Sequence, residues 1–367
     1  MIKGHATLEG TSRLKQRTPA ADDFFANTPL GWISSLGLGT YLGNFDKASD
    51  QSFEASIQAA VGSGINLLDT AINYRFQRSE KCIAAALKKS FTQGVSRDEI
   101  VVCTKGGFVP FQGAPPSSPD EARLYIESRF IDRGIVKESD FHQMSHSLHP
   151  KYIADQFEAS RRNLNLETID IYYLHNPETQ LPVLGPDDFE KQVKSNFEFL
   201  ERKISDGHLQ SYGFATWEGF RHQDDSFGWL NLPEILGWAK DVAGDNHHFQ
   251  FIQLPFSLAL TEGYRVRNQP PDDKPGTILE VAQDLGIHVV ASASLHQGKL
   301  IGSLPEFIHE AFPDLDNDVL RSIQFTRSTP GVTSALVGMG NAAHVTENLA
   351  IREHPQANPS VIVELLS

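Results

Sequence analysis

The sequence predicts an α/β protein, a (β/α)8 TIM barrel, on three observations. Short β-branched runs alternate with amphipathic helical stretches. Eight such strand-then-helix units follow one another in one chain, which favours a closed barrel over an open doubly wound sheet. Polar titratable residues close three of the apolar runs, at the level where barrels build their active sites.

The strand runs are residues 33–38, 65–68, 100–104, 169–174, 211–214, 249–254, 288–291 and 334–337. The helical stretch after the first carries Phe53, Ile57 and Ala60 on one face, and the next carries Ile83 and Leu87. Ile153, Phe157 and Leu164 repeat the pattern, as do Val193, Phe197, Leu200 and Ile204. Later helices are expected over 232–242, 277–285, 319–329 and 342–350.

Three segments break the rhythm. Residues 1–30 are polar and irregular and read as an N-terminal extension outside a single barrel domain of residues 31–367. Residues 106–149, with the run GAPPSSPDE, form a long insertion after the third strand. Residues 261–275, after the sixth strand, carry Arg265, Arg267 and a PPDDKP cluster whose Asp272 and Asp273 read as a solvated turn. These two insertions are expected to supply the substrate walls.

Composition narrows the function. Hydrophobic residues at 40% and charged residues at 21% suit a soluble protein with a sizeable core. Lys plus Arg number 32 against 46 Asp plus Glu, a net charge of -14 with no basic run, which argues against a nucleic-acid partner. No apolar run approaches the roughly 20 residues of a membrane span, and residues 1–20 lack the apolar centre of a secretory signal. Lys3, Arg13, Lys15 and Arg17 lie there, but Glu9 and poor periodicity spoil an organelle-targeting helix. The two cysteines, Cys82 and Cys103, make neither a disulfide framework nor a CxxC pair, so a cytoplasmic setting is the default.

Asp69 closes the run INLLD, Lys105 closes IVVCTK and His175 closes IDIYYLH, with Tyr74 in the loop just after Asp69. The set suits proton transfer to a carbonyl oxygen during hydride attack. A free tyrosine has a pKa of about 10 and needs a neighbouring cation to work near neutrality. Lys105 can be that cation, Asp69 its counter-charge, and His175 a donor that orients the carbonyl. The hydride must come from a bound cofactor.

LLDTAINY followed by RSE, then VVCTKGG, then IDIYYLHNPE, in that order on eight units, resemble the aldo-keto reductases over roughly residues 33–351. The resemblance implies an NAD(P)H-dependent oxidoreductase that reduces an aldehyde or ketone, or oxidises an alcohol or sugar. Tyr74 would be the general acid and base, Lys105 and Asp69 its tuning pair, and His175 the substrate-orienting group. It further implies that Gln253, in FIQLPFS, and Thr216, in GFATW, hold the nicotinamide carboxamide, with Thr40 facing the cofactor from GLGTYLG. Leu295 and Gly298, in ASASLHQGKL, belong to the pyrophosphate loop, and Met339 lies beside the adenosine phosphate in VGMGNAAHVTEN. Glu347 and Asn348 reach the adenine, and glycines before a helix start near Asn341 would form an anion site.

The chain departs from the family at three places. Ala215 and Thr216 replace a Ser-Asn pair, Ser292 stands where a stacking tyrosine is common, and His344 replaces an arginine that holds the 2'-phosphate. The family favours NADP(H) over NAD(H), a small-molecule substrate, and a monomer or weak homo-oligomer.

Two other readings compete. A cofactor-binding regulatory subunit could use the same fold, and a metal-dependent barrel hydrolase or isomerase could use His142, His146 and His149. Their spacing matches no familiar zinc framework, so no metal is expected. The run GLGTYLG is GxGxxxG with no helix opening after it, which is not a Rossmann fingerprint.

Overall fold

The computed structural model describes residues 1–223, 228–271 and 273–366, so Asp272 of the expected turn lies outside the described residues. The chain starts with a helix, α1 (Leu8–Arg17), and an antiparallel hairpin of β1 (Phe25–Thr28) and β2 (Gly31–Ser34). β3 (Leu36–Gly39) leads to α2 (Lys47–Gly62), β4 (Leu67–Asp69) to α3 (Arg78–Phe91), and β5 (Val101–Gly106), by way of α4 (Pro119–Ile126), to α5 (Pro150–Leu164). β6 (Ile169–His175) continues through the single turn α6 (Leu181–Leu184) into α7 (Pro186–Ser205), and β7 (Leu209–Ala215) into α8 (Leu232–Ala243). After β8 (Phe249–Pro255) come α9 (Glu262–Arg265), the ribbon β9 (Arg267–Gln269) and β10 (Gly276–Thr277), and α10 (Ile278–Asp284). β11 (His288–Ser292) leads by α11 (Glu306–Ala311) to α12 (Asp318–Ser328), and β12 (Val332–Gly338) to α13 (Ala342–Asn348) and α14 (Pro359–Leu366).

Eight strands close in parallel, in the order β3, β4, β5, β6, β7, β8, β11, β12 and back to β3. Each predicted run falls on one of them except the first, which the structure divides. Ile33 belongs to the hairpin, and the chain bends before Leu36. The Ser34 N–H donates to the Asn66 side chain (2.8 Å) and its hydroxyl to the Leu36 carbonyl (2.8 Å), so the backbone leaves one ladder and enters the other with its polar groups satisfied.

Strand side chains divide between two cores. Leu67, Val101, Cys103, Ile171, Tyr173, Phe251, Val290 and Leu336 fill the barrel interior, while the alternate residues pack outward against the helices. Ala6, Leu30 and Ile33 join the interior cluster, so the N-terminal segment and hairpin close the end opposite the strand C-termini. No helix among the described residues is long and apolar enough to cross a membrane.

The irregularity expected of residues 1–30 is corrected here. α1 starts on Thr7, whose side chain accepts the Gly10 N–H, and Arg13 makes two hydrogen bonds to Asp98, at 2.9 and 2.8 Å. Arg17 pairs with Glu99. The sequence looked irregular because these partners lie more than 80 residues away. The 106–149 insertion is equally ordered: Phe130 sits at the centre of Tyr125, Phe141 and Tyr152 in an aromatic cluster beside the barrel.

Asp170, on β6, ties the closed end together. Its carboxylate accepts the N–H of Ala6 (2.7 Å) and of Val102 (2.8 Å) and the Arg97 guanidinium (2.7 Å), all buried. Asp170→Ala strands a buried arginine and two backbone donors, and is expected to cost about 3–5 kcal/mol of unfolding free energy in urea titrations. A loss below about 1 kcal/mol, the level of a surface ion pair, would contradict this account.

Candidate active site

The strand C-termini open into a cleft of about 750 Å3. Every residue expected to bind substrate or cofactor lines it except Lys105, which lies beneath the wall, and Met339. The Met339 side chain is fully buried in the outer core, and its carbonyl accepts the Ser56 hydroxyl. Met339 therefore packs behind the cleft, and only its backbone neighbour Gly338 faces it.

Register brings the charged pair together. Asp69 on β4 aligns with Cys103 on β5, and Lys105 lies two residues further along, on the same face of the strand. The Lys105 ammonium donates to both Asp69 oxygens (2.8 and 2.7 Å) and to the Thr70 carbonyl (2.8 Å), using all three donors. Burial, the largest influence, would by itself lower the lysine pKa; Asp69, with Tyr74 and Cys103, together outweigh it and hold the group above its ordinary value. From across the ring, the Gln253 side-chain amide donates to Asp69 Oδ1 (2.8 Å).

Gly106 follows because nothing larger fits. A Cβ there would stand 2.1 Å from the Tyr172 hydroxyl oxygen. A Cβ on Gly213, in β7 just before Thr216, would stand 1.7 Å from the Phe251 carbonyl oxygen.

Tyr74 sits with its ring centroid 4.8 Å from the Lys105 ammonium and 5.8 Å from the His175 ring. Its turn is strained: Arg75, Phe76 and Gln77 all adopt positive φ, at 46°, 59° and 67°. The Arg75 side chain holds that shape, donating to the Asn44 carbonyl (2.9 and 2.7 Å) and Asp50 (2.6 Å), while Arg78 pairs with the same carboxylate. Enclosure by protein raises the Tyr74 phenol above the ordinary value; Lys105 opposes this without overcoming it. The tuning expected from the lysine thus has the right sign but is outweighed, chiefly by burial, with Asp69 adding to the rise.

His175 lies at the end of β6, and burial holds its imidazole well below the ordinary range, with Lys105 and His146 acting the same way. It is neutral at pH 7. Its carbonyl accepts a hydrogen bond from His146 Nε2 (2.7 Å), and Phe108 packs edge-on against both rings. A carbonyl cannot donate, so the His146 proton is on Nε2, and Nδ1 accepts from the Gln180 amide (3.0 Å). His146 is thus a brace for His175, a role that its spacing from His142 and His149 did not signal. His149 caps α5, and among the described residues no three His, Cys, Asp or Glu side chains gather as a metal-binding group.

Thr216 has a buried hydroxyl with no partner, close to Gln253, whose carbonyl accepts the Thr216 N–H (2.8 Å). This donor set fits a carboxamide. The loop carrying it is pinned by Glu178, a residue that no sequence pattern singled out. One Glu178 oxygen accepts the N–H groups of Trp217 (2.7 Å) and Glu218 (3.0 Å), while burial raises its pKa to about 7.

Among the described residues of the two long insertions, only Phe108 reaches the cleft. The described residues of 261–275 lie outside the cleft lining, among them α9 and β9, and the remaining walls come from Tyr41 and Leu42 after β3, Trp217 after β7, and the loop after β11. At α13 the expected anion site is occupied internally: Asn341 accepts the Ala343 N–H on its side chain (2.9 Å) and the His344 N–H on its carbonyl (3.1 Å).

His146 makes the site acid-sensitive. Burial holds its folded pKa at about 4, below the ordinary value of about 6.5, so protonation favours the unfolded chain. The stabilisation is full above about pH 6.5 and fades as pH falls toward about 4, by up to about 3 kcal/mol. Glu178, raised in the fold, acts with the opposite sign, so a variant isolates the histidine. His146→Gln is expected to flatten the fall of the urea midpoint between those two pH values; an unchanged slope would refute the assignment.

Residues 35–305 match the model of the aldo/keto reductase family. The chain is 31% identical over 288 residues to the NADH-specific methylglyoxal reductase of Escherichia coli, covering 75% of this chain and 69% of that one. It is 30% identical over 188 residues to the D-threo-aldose 1-dehydrogenase of a Pseudomonas species, and spans half of that relative's length. Among solved structures, the glycerol dehydrogenase of Gluconobacter oxydans aligns with a TM-score of 0.65 at 19% identity, over 94% of this chain and 96% of that one. An aldo/keto reductase of Klebsiella pneumoniae, solved with NADP and acetate, aligns with a TM-score of 0.62 at 17% identity over 94% of each. Fold, strand-end residues and family match agree: this chain belongs to the aldo/keto reductase family.

Proposed function

We propose that this chain moves a hydride between a nicotinamide dinucleotide and the carbonyl carbon of a small, neutral aldehyde or ketone, or the corresponding carbon of an alcohol or sugar. The observation that carries the reading is the meeting of Tyr74, Lys105, Asp69 and His175 on one rim around an open cleft. The dinucleotide supplies or accepts the hydride. Everything else falls to side chains of the chain.

Tyr74 gives its phenolic proton to the carbonyl oxygen as that oxygen gains charge, and takes a proton back from the alcohol in the reverse direction. Lys105 stands close enough to steady the phenolate that is left, and Asp69 keeps the lysine in place. Neutral His175 offers an N–H to the same substrate oxygen, its ring packed against Phe108 and its backbone carbonyl held by His146. Thr216 and Gln253 hold the carboxamide, and the loop with Leu295 and Gly298 faces the pyrophosphate.

The mouth supports a neutral substrate. Tyr41, Phe108 and Trp217 line it, and among the described lining residues no lysine or arginine is present to hold a carboxylate or phosphate. The relatives named for an aldose and for methylglyoxal act on neutral carbonyl or sugar compounds, in line with that mouth. The family favours NADP(H), and a solved neighbour holds NADP, whereas one relative is named NADH-specific. We place the protein in the cytoplasm, in keeping with two unpaired buried thiols, as a monomer or weak homo-oligomer whose N-terminal segment is integral to the barrel.

Tyr74→Phe keeps the ring and removes the proton. It is expected to retain dinucleotide binding by fluorescence titration while carbonyl reduction falls about 10²–10⁴-fold. Undiminished turnover would rule out the acid assignment, and absent turnover in the wild type against a panel of aldehydes, ketones and sugars would favour a regulatory subunit. Lys105→Met is expected to lower turnover more than cofactor affinity; the reverse order would make Lys105 a cofactor ligand instead.

A further inference from the structure

Resting on the proposed role of Tyr74 as the acid, we infer that the 106–149 insertion serves the reaction from outside the cleft. Through the Gln77 side chain it holds the turn that aims Tyr74, which makes Gln77 a positioning residue. Among the described residues of the insertion Phe108 alone lines the cleft, and the segment just after it lies against that turn.

The turn needs holding. Arg75, Phe76 and Gln77 stand in succession in the left-handed region, which residues with a Cβ adopt at a cost and keep only where their neighbours enforce it. Glycine would take the φ of 67° at residue 77 without strain. A glutamine there gives up that ease, and its amide bridges two other elements. Its Nε2 donates to the Pro110 carbonyl (2.6 Å), and its Oε1 accepts from the Asn163 amide of α5 (3.1 Å).

Gly113 adds to the bridge. Its N–H donates to the Phe76 carbonyl (2.8 Å), and its carbonyl accepts from Arg78 Nε (2.7 Å). The receiving loop is itself anchored, because Tyr125 on α4 donates its hydroxyl to the Pro110 carbonyl (2.7 Å) and packs between Phe111 and the Phe130 cluster. Asp50 of α2 takes Arg75 and Arg78, whereas the Phe76 carbonyl and the Gln77 amide between them are held by the insertion. The hold reaches Tyr74 directly, since its ring has to stay beside the Lys105 ammonium, 4.8 Å from its centroid. A misplacement of about 1 Å in a reacting group can cost on the order of 10²-fold in rate.

The test is Gln77→Met in the full chain, which keeps the length of the side chain and removes both polar contacts. Pro110 retains Tyr125 and Asn163 retains Glu80, so neither partner is stranded. Turnover is followed with the reduced dinucleotide and the aldehyde or ketone that the wild type reduces fastest. The expected result is a kcat lower by about 10–100-fold, with KM and dinucleotide affinity within about twofold of the wild type. On a Tyr74→Phe background, in single-turnover assays, the same substitution is expected to change the residual rate by less than about twofold, because nothing is left to aim. Gln77→Gly, whose backbone suits the turn, carries the same expectation and takes its place if Gln77→Met does not fold. A wild-type kcat overturns the inference, as does a fall carried by KM or dinucleotide affinity, or an equal fall on the Tyr74→Phe background. Undiminished turnover in Tyr74→Phe alone overturns the acid assignment instead, an outcome distinct from these.

Discussion

The Lys105 ammonium is sealed inside the barrel mouth, and much of the site depends on how that charge is satisfied. An unpaired ion at this depth would cost several kcal/mol, so the structure has to bring three acceptors to it. Two are the Asp69 oxygens and the third is the Thr70 carbonyl. Turning that carbonyl inward sets the path of the chain out of β4, and the Ile72 N–H then bonds to the Lys105 carbonyl (3.2 Å). The turn that carries Tyr74 is thereby fixed at one end by the ion pair and at the other by Arg75 and Asp50. One electrostatic requirement joins β4, β5 and β8 and aims the phenol.

The two ends of the barrel meet buried polarity differently, although Arg97 Nε at the closed end also lacks a partner. At the closed end, Asp170 is matched by Arg97 and two backbone donors. At the open end, a histidine Nδ1 on His175, a Thr216 hydroxyl and one Glu178 oxygen are buried with no partner. Unpaired groups carry a cost in the free protein, and a bound polar ligand relieves it. Of these three residues, His175 and Thr216 line the cleft, where a bound molecule can meet them, whereas Glu178 lies behind it.

Strand ends are legible in the sequence because a barrel repeats one simple pattern. An apolar run of period two ends at the mouth, and the polar residue that closes it faces the site, which is why Asp69, Lys105 and His175 stand out from sequence alone. His146 and Glu178 carry no such pattern. His146 reaches the His175 carbonyl from an insertion 29 residues away, and Glu178 grips the next loop through backbone N–H groups, which any residue type there would supply. The insertions misled for a related reason. Their length suggested walls, whereas Phe130 and its ring neighbours use that length to pack against α5, and among the described residues only Phe108 turns inward. Loop length measures chain available, and aromatic content decides where it is buried.

The protonation of the free rim bears on the direction of the reaction. Tyr74 is held above its ordinary value and His175 well below its own, so at neutral pH the phenol keeps its proton and the imidazole carries no charge. That is the state required to donate to a carbonyl oxygen. The opposite direction needs the phenolate, whose nearby support is Lys105, and Asp69 already claims much of that support. The ion pair that aims the tyrosine thus also limits how far the lysine can stabilise its anion. In the proposed reaction, reduction draws on the protonated phenol, whereas oxidation requires the phenolate.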